Sequence, residues 1–169
     1  MRPILVALLL VAAAAPAAAQ PFTPPPVRVA DLSGPRFGLT SLTPGMVDKL
    51  AEHDLVVEPL ISQFGWQFER QFALRGSGLT PVTELVVLLG GLEQDVAIPS
   101  VTWLVGMRTA QGAEFGVGPN VTPAGSALVF AAGVTLRAGS LNVPMNFAVV
   151  PSRHGVRVSV LTGFNFRRR

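Results

Sequence analysis

The chain contains no cysteine and no tyrosine. Without cysteine there is no disulfide, no thiol nucleophile, no paired-Cys metal site and no lipid attachment at an N-terminal Cys. His53 and His154 are the only imidazoles; they form no HExxH pair, and each is expected as a solvated surface residue. Charged residues make up only 14% of the sequence. Once Arg2 and the terminal Arg167-Arg168-Arg169 are set aside, nine basic residues stand against ten acidic ones. That near-neutral body offers no footprint for nucleic acid. Beyond residue 20, Gly, Pro or a charge interrupts every apolar run before the roughly 20 residues that a spanning helix requires. Yet 49% of residues are hydrophobic and mean hydropathy is +0.48. High hydropathy without spanning helices is the composition of a membrane β-barrel, whose lipid face is spread over alternate residues.

The start reads as an export signal over 1–19. Met1-Arg2-Pro3 is positive, Ile4–Ala15 is apolar, and Ala17-Ala18-Ala19 precede a cleavage site before Gln20. Pro21, Pro24, Pro25 and Pro26 then predict an extended, flexible leader over 20–33 with no packing duty. From Gly34 onward, period-2 alternation predicts eight strands: 35–42, 59–74, 79–90, 97–109, 112–120, 126–138, 141–150 and 155–166. Turn chemistry separates them at Arg75-Gly76-Ser77-Gly78, Ala110-Gln111-Gly112, Ala138-Gly139-Ser140 and Ser152-Arg153-His154-Gly155. The expected fold is all-β: an antiparallel up-and-down eight-stranded β-barrel over 34–166, with a basic tail at 167–169.

One short helix is expected between strands 1 and 2, over 44–53. Thr43 would cap it, Pro44 would occupy its first position, and Met46, Val47, Leu50 and Ala51 would share one face. A surface helix packed on the barrel rim is the simplest expectation, and a cap or a partner-binding element is the alternative. Links after strands 2, 4 and 6 are tight, while those after strands 1, 3 and 5 (43–58, 91–96 and 121–125) are longer. Outer-membrane barrels show this asymmetry, with short periplasmic turns and longer outer loops.

Phasing each strand by its large apolar residues gives two faces. The apolar one carries Phe64, Trp66, Phe68, Trp103, Phe115, Phe130, Phe147 and Phe164, read as lipid-facing. The polar one carries Arg36, Glu69, Glu84, Arg108, Glu114, Arg137 and Arg157, read as a lumenal network in which carboxylates and guanidiniums pair. Gly65, Gly106, Gly116, Gly118, Gly133 and Gly163 share that face and would make room for long neighbours. Eight strands leave an interior that side chains can fill, so a plugged lumen is expected. Alternation does not say which face points outward. The alternative is a soluble exported barrel, periplasmic or secreted, that binds an apolar ligand inside. No catalytic, cofactor or metal residues are assigned, since Ser152 and His154 share a turn without the strand context a hydrolase needs.

The final strand, Val156-Arg157-Val158-Ser159-Val160-Leu161-Thr162-Gly163-Phe164-Asn165-Phe166, carries a family likeness. It resembles that of the small eight-stranded outer-membrane β-barrel proteins of diderm bacteria. The resemblance implies an outer-membrane location, lipid around a monomeric barrel, and a structural or surface-interaction role without catalysis. It also implies that Ser159, Phe164 and Phe166 form the terminal signal read by the barrel-assembly machinery. The chain departs from that pattern at Leu161, where the signal prefers Gly, and at the arginines following Phe166.

Overall fold

The computed structural model describes residues 28–31, 33–73 and 78–166. The stretch expected as an export signal, residues 20–27, Arg75 to Ser77 and the basic tail lie outside the described residues. Eight strands follow in order: β1 Gly34–Leu42, β2 Leu60–Ala73, β3 Leu79–Gly90, β4 Ile98–Thr109, β5 Ala113–Thr122, β6 Gly125–Ala138, β7 Leu141–Ser152 and β8 Gly155–Gly163. Each pairs antiparallel with the next. β8 then returns to β1, from Arg36 opposite Gly163 to Leu42 opposite Arg157. The sheet is a closed barrel, and closure removes the edges that an open sheet would expose.

The ladder registers fix its geometry. Ala30 pairs with Gln71, and the same ladder row, inclined to the barrel axis, runs through Val82, Gly106, Gly116, Ala131, Ala148 and Ser159 to Thr40. One circuit therefore regains the first strand ten residues from where it began. For eight strands that stagger corresponds to a tilt of about 40°.

The ends of the chain extend the barrel. Arg28–Asp31, inside the stretch expected as a flexible leader, forms a strand against Arg70–Ala73 in the register of β1. The reason is that β2 outruns β1, and these residues pair its exposed edge. Asn165–Phe166 likewise continues β8 against Asn142 and Leu141. The β5–β6 link differs from expectation too. Val121 and Thr122 stay in the ladder opposite Ser126 and Gly125, leaving only Pro123 and Ala124 as a link. Gly125, at φ 114°, supplies the left-handed backbone for that reversal. The two long connections, after β1 and after β3, share the end of the barrel opposite the termini.

The first of these holds helix α1, Pro44–Ala51. Thr43 has extended N-cap geometry, but its hydroxyl does not cap the helix; it accepts the Val156 N–H at 2.9 Å. This ties the helix start to β8. Met46 and Leu50, each only 2% exposed, pack with Leu42, Val57, Ile61 and Ile98. The helix thus closes the barrel mouth rather than resting on the rim, with Ala51 exposed and outside the buried face.

Several inward glycines answer to backbone crowding more than to long side chains. A β-carbon at Gly118 would overlap the Trp103 carbonyl on β4. We expect Gly118→Ala to force the two strands apart and destabilise the barrel by more than the ~1 kcal/mol of a typical point mutation. Urea titration of the refolded protein checks this; Gly78→Ala, in open space just before β3, is the comparison for a change without crowding. Gly133 does match the sequence expectation, because the Glu114 carboxylate lies 3.1 Å from where its β-carbon would sit.

Candidate functional site

Period 2 sends Arg36, Thr40, Gln63, Gln67, Glu69, Glu84, Ser100, Arg108, Glu114, Asn120 and Asn142 inward, where all are buried. The half of the lumen nearer the chain termini is a charged layer. Register makes it so, because Glu69 stands opposite Glu84 and Arg108 opposite Glu114. Like charges facing each other across a ladder are destabilising, and the Arg108 guanidinium resolves this by reaching among the three carboxylates. It makes a two-pronged contact with Glu69, its second prong at 2.9 Å, and donates through Nε to Glu114 Oε2 at 2.7 Å. Glu84 is further away, at 4.0 Å.

Amides complete the layer. Gln71 donates to Glu69 at 2.7 Å, Asn146 to Glu114 at 2.8 Å, and Gln67 to Glu69 at 3.2 Å. Gln67 in turn accepts from Arg36 Nε at 2.9 Å, and Arg36 also donates to Asn165 at 2.8 Å. Glu69, Glu84 and Glu114 come close enough to hold a cation, but Arg108 already supplies the positive charge there.

The pairing therefore differs from expectation. Among the described residues, Arg108 is the lumenal guanidinium that pairs with carboxylates. Arg36 is held by amides and by the Pro35 carbonyl, and Arg157 by Thr122 and Asn120. The cause is height along the axis: Arg157, opposite Leu42 and Val150 toward the α1 end, has no carboxylate within ion-pair distance among the described residues. Arg137 pairs with Asn142 along the backbone, but its side chain lies outside the described residues.

Above the charged layer the inward positions are mixed: Leu88, Leu104, Val129 and Val150 stand among Thr40, Gln63, Ser100, Asn120 and Arg157, below the plug formed by α1. The lumen is thus not polar throughout, as the strand phasing implied. Between the two layers lies a cavity of about 70 Å³, bounded by Glu84 on one side and by Met46 and Leu50 on the other. That volume admits a few waters, far short of an apolar ligand the size of an acyl chain.

The outward face is the reverse. Phe64, Trp66, Phe68, Trp103, Phe115, Phe130, Phe147 and Phe164 are all exposed on the barrel exterior, Phe130 by 51%. Phe37, Leu39, Leu85, Val87, Val101, Val105, Val117, Leu128, Leu136 and Val160 fill the belt between them. Trp103 Nε1 donates to Thr83 Oγ1 at 2.9 Å, so this belt meets its own polar demand. At a rise of about 3.3 Å per residue and a tilt near 40°, the outward run from Leu128 to Leu136 climbs about 20 Å.

At the rim, Glu93 accepts from the Ser62 hydroxyl and from the Ser62 N–H at 2.6 Å. These bonds, the hydroxyl first, hold its carboxyl below the ordinary range. A depressed pKa means the contact is complete above the ordinary carboxylate range and is lost as pH falls through the lowered value. The Ser62 amide is accordingly expected to exchange faster with solvent only in acid, and Glu93→Gln to weaken that pH dependence; hydrogen exchange checks both. His53 and His154 are exposed. The Ser152 hydroxyl lies 2.9 Å from the Gly155 carbonyl, and its oxygen accepts from the His154 backbone, so no imidazole contact is made. Ser159 lies 2.6 Å from the Thr40 hydroxyl, inside the lumen, while Phe164 lies outside. The side chain of Phe166 lies outside the described residues.

No family model, curated protein or solved structure matches the chain.

Proposed function

We propose that this protein is a monomeric outer-membrane β-barrel with a structural or surface-interaction role and no catalysis. The observation that carries the proposal is the continuous outward belt of large apolar side chains around a lumen holding buried ion pairs. Soluble monomers rarely expose apolar patches beyond a few hundred Å², whereas this belt involves all eight strands. Its height of about 20 Å, before side chains are counted, suits the roughly 25 Å apolar band of such barrels. Arg70 is outward and exposed between Phe68 and Phe72, near the end of β2. There a long cationic side chain can reach head groups while its stem stays in the apolar zone. With the termini on the periplasmic side, α1 and the turn at Leu92–Gln94 face outward, and partners would be met there.

Fractionation of the native protein, with heat-modifiable migration on a denaturing gel, tests this. Recovery with the outer membrane, and faster migration before boiling than after, is expected. Recovery in the soluble periplasmic fraction would overturn the proposal.

A further inference from the structure

Arg157 occupies a place no sequence motif explains. Its guanidinium crosses the lumen from β8 to β5, donating to Asn120 Oδ1 at 2.7 Å and to Thr122 Oγ1 at 3.2 Å. Its Nε is buried with no hydrogen-bond partner. Among the described residues no carboxylate lies within ion-pair distance of it. A half-buried guanidinium held only by neutral acceptors, with one nitrogen sealed from water, is costly unless further charge or hydrogen bonding compensates it. Arg36 also has an unpartnered buried nitrogen, but its Gln67 contact links it to the Glu69–Arg108 cluster. Arg157 has no such link.

The same side chain lines the cavity of about 70 Å³. Ser100 and Thr102 also line it; each accepts from the Asn120 amide, which leaves its hydroxyl proton free to turn toward the space that the cation borders. Asn120 spends its amide on Ser100 and Thr102 at 2.9 and 2.8 Å, which holds its oxygen toward Arg157. Met46 and Leu50 roof the chamber, and Glu84 lines it on the side of the charged layer. One fixed cation, two hydroxyls free to donate and an apolar roof make a site for negative charge. The volume limits the occupant to a halide or a very short carboxylate.

We propose that the chamber beneath α1 binds one small monovalent anion against Arg157, under the apolar roof of Met46 and Leu50. The site belongs to the closed lumen, so it stands or falls separately from the membrane location.

Bromide is the probe. Crystals of the detergent-refolded protein soaked in sodium bromide are expected to show an anomalous peak within hydrogen-bonding reach of the Arg157 guanidinium. In parallel, the unfolding temperature is followed as bromide replaces gluconate at constant ionic strength. It is expected to rise in the wild type and to stay flat in Arg157→Gln. Ordered water alone at Arg157, or bromide seated only at exposed cations such as Arg153 and Lys49, would overturn the proposal. An equal rise in Arg157→Gln would do the same. The diffraction experiment needs no variant, so poor folding of Arg157→Gln leaves the outcome decisive.

Discussion

Replacing Arg108 by Leu is expected to cost the barrel at least about 3–5 kcal/mol, the range for breaking a buried ion pair by removing one partner. The expectation rests on geometry. Glu69, Glu84 and Glu114 are buried around this guanidinium, and two of them hydrogen-bond directly to it. Removing it leaves three carboxylates facing one another without a counter-charge. Against a typical total of about 5–15 kcal/mol, such a loss brings the barrel near the limit of folding. Urea titration of the refolded protein, with heat-modifiable migration as the readout, measures it. Two further variants make the assignment specific. Combining Arg108→Leu with Glu69→Gln and Glu114→Gln should recover much of the loss, because amides carry no charge to compensate. Glu84→Gln alone should cost less than Glu69→Gln alone, since Glu84 stands 4.0 Å from the guanidinium while Glu69 makes two contacts. If Arg108→Leu unfolds no more readily than the wild type, the cluster does not hold the lumen together.

Phe130→Arg separates a lipid-facing exterior from a wet one more sharply than any other single change. Phe130 lies mid-strand on β6, opposite Val117 and Val149, with its ring outward. At a bilayer midplane an arginine there costs about 2–4 kcal/mol, and the penalty falls to about 0–1 near the interfaces. In water the same change at an exposed site stays within about 0.5 kcal/mol. Val121→Arg, outward near the α1 end of β5, supplies the comparison at the belt's edge. A large loss at Phe130 with a small one at Val121, measured by refolding into lipid vesicles, is the expected result. Equal, small effects at both positions would count against a membrane exterior.

Much of this structure was legible in the residues. Strand boundaries expected from alternation lie within about two residues of those observed for β1 to β7. The turn residues also separate the strands where expected in the described hairpins. Both follow from local physics: a period-2 pattern permits only one backbone, and Gly or Asn at a reversal relieves a strain that other residues would bear. Assignment of each residue to a face followed from the same parity. The departures arose where partners distant in sequence decide the outcome. Arg28–Asp31 lies beside a proline-rich stretch and looks like linker, yet it pairs because β2 leaves an unpaired edge beside it. Val121 and Thr122 read as loop, yet the register of β6 keeps them in the ladder. Met46 and Leu50 suit any amphipathic helix, and only the closed mouth below them makes that face a plug.

By itself, then, the sequence determined that this chain makes eight strands, most of them two-faced, with charge, Arg70 apart, on one face and aromatic bulk on the other. Tertiary structure decided which charges meet. Parity tells only that a residue points inward, while height along the axis depends on the stagger accumulated around a closed ladder. A stagger of ten residues brings Glu69, Glu84, Arg108 and Glu114 to one level and leaves Arg157 at another, among Leu42, Val150 and the hydroxyls of the chamber. Closure alone makes that separation, because height becomes fixed only when β8 meets β1.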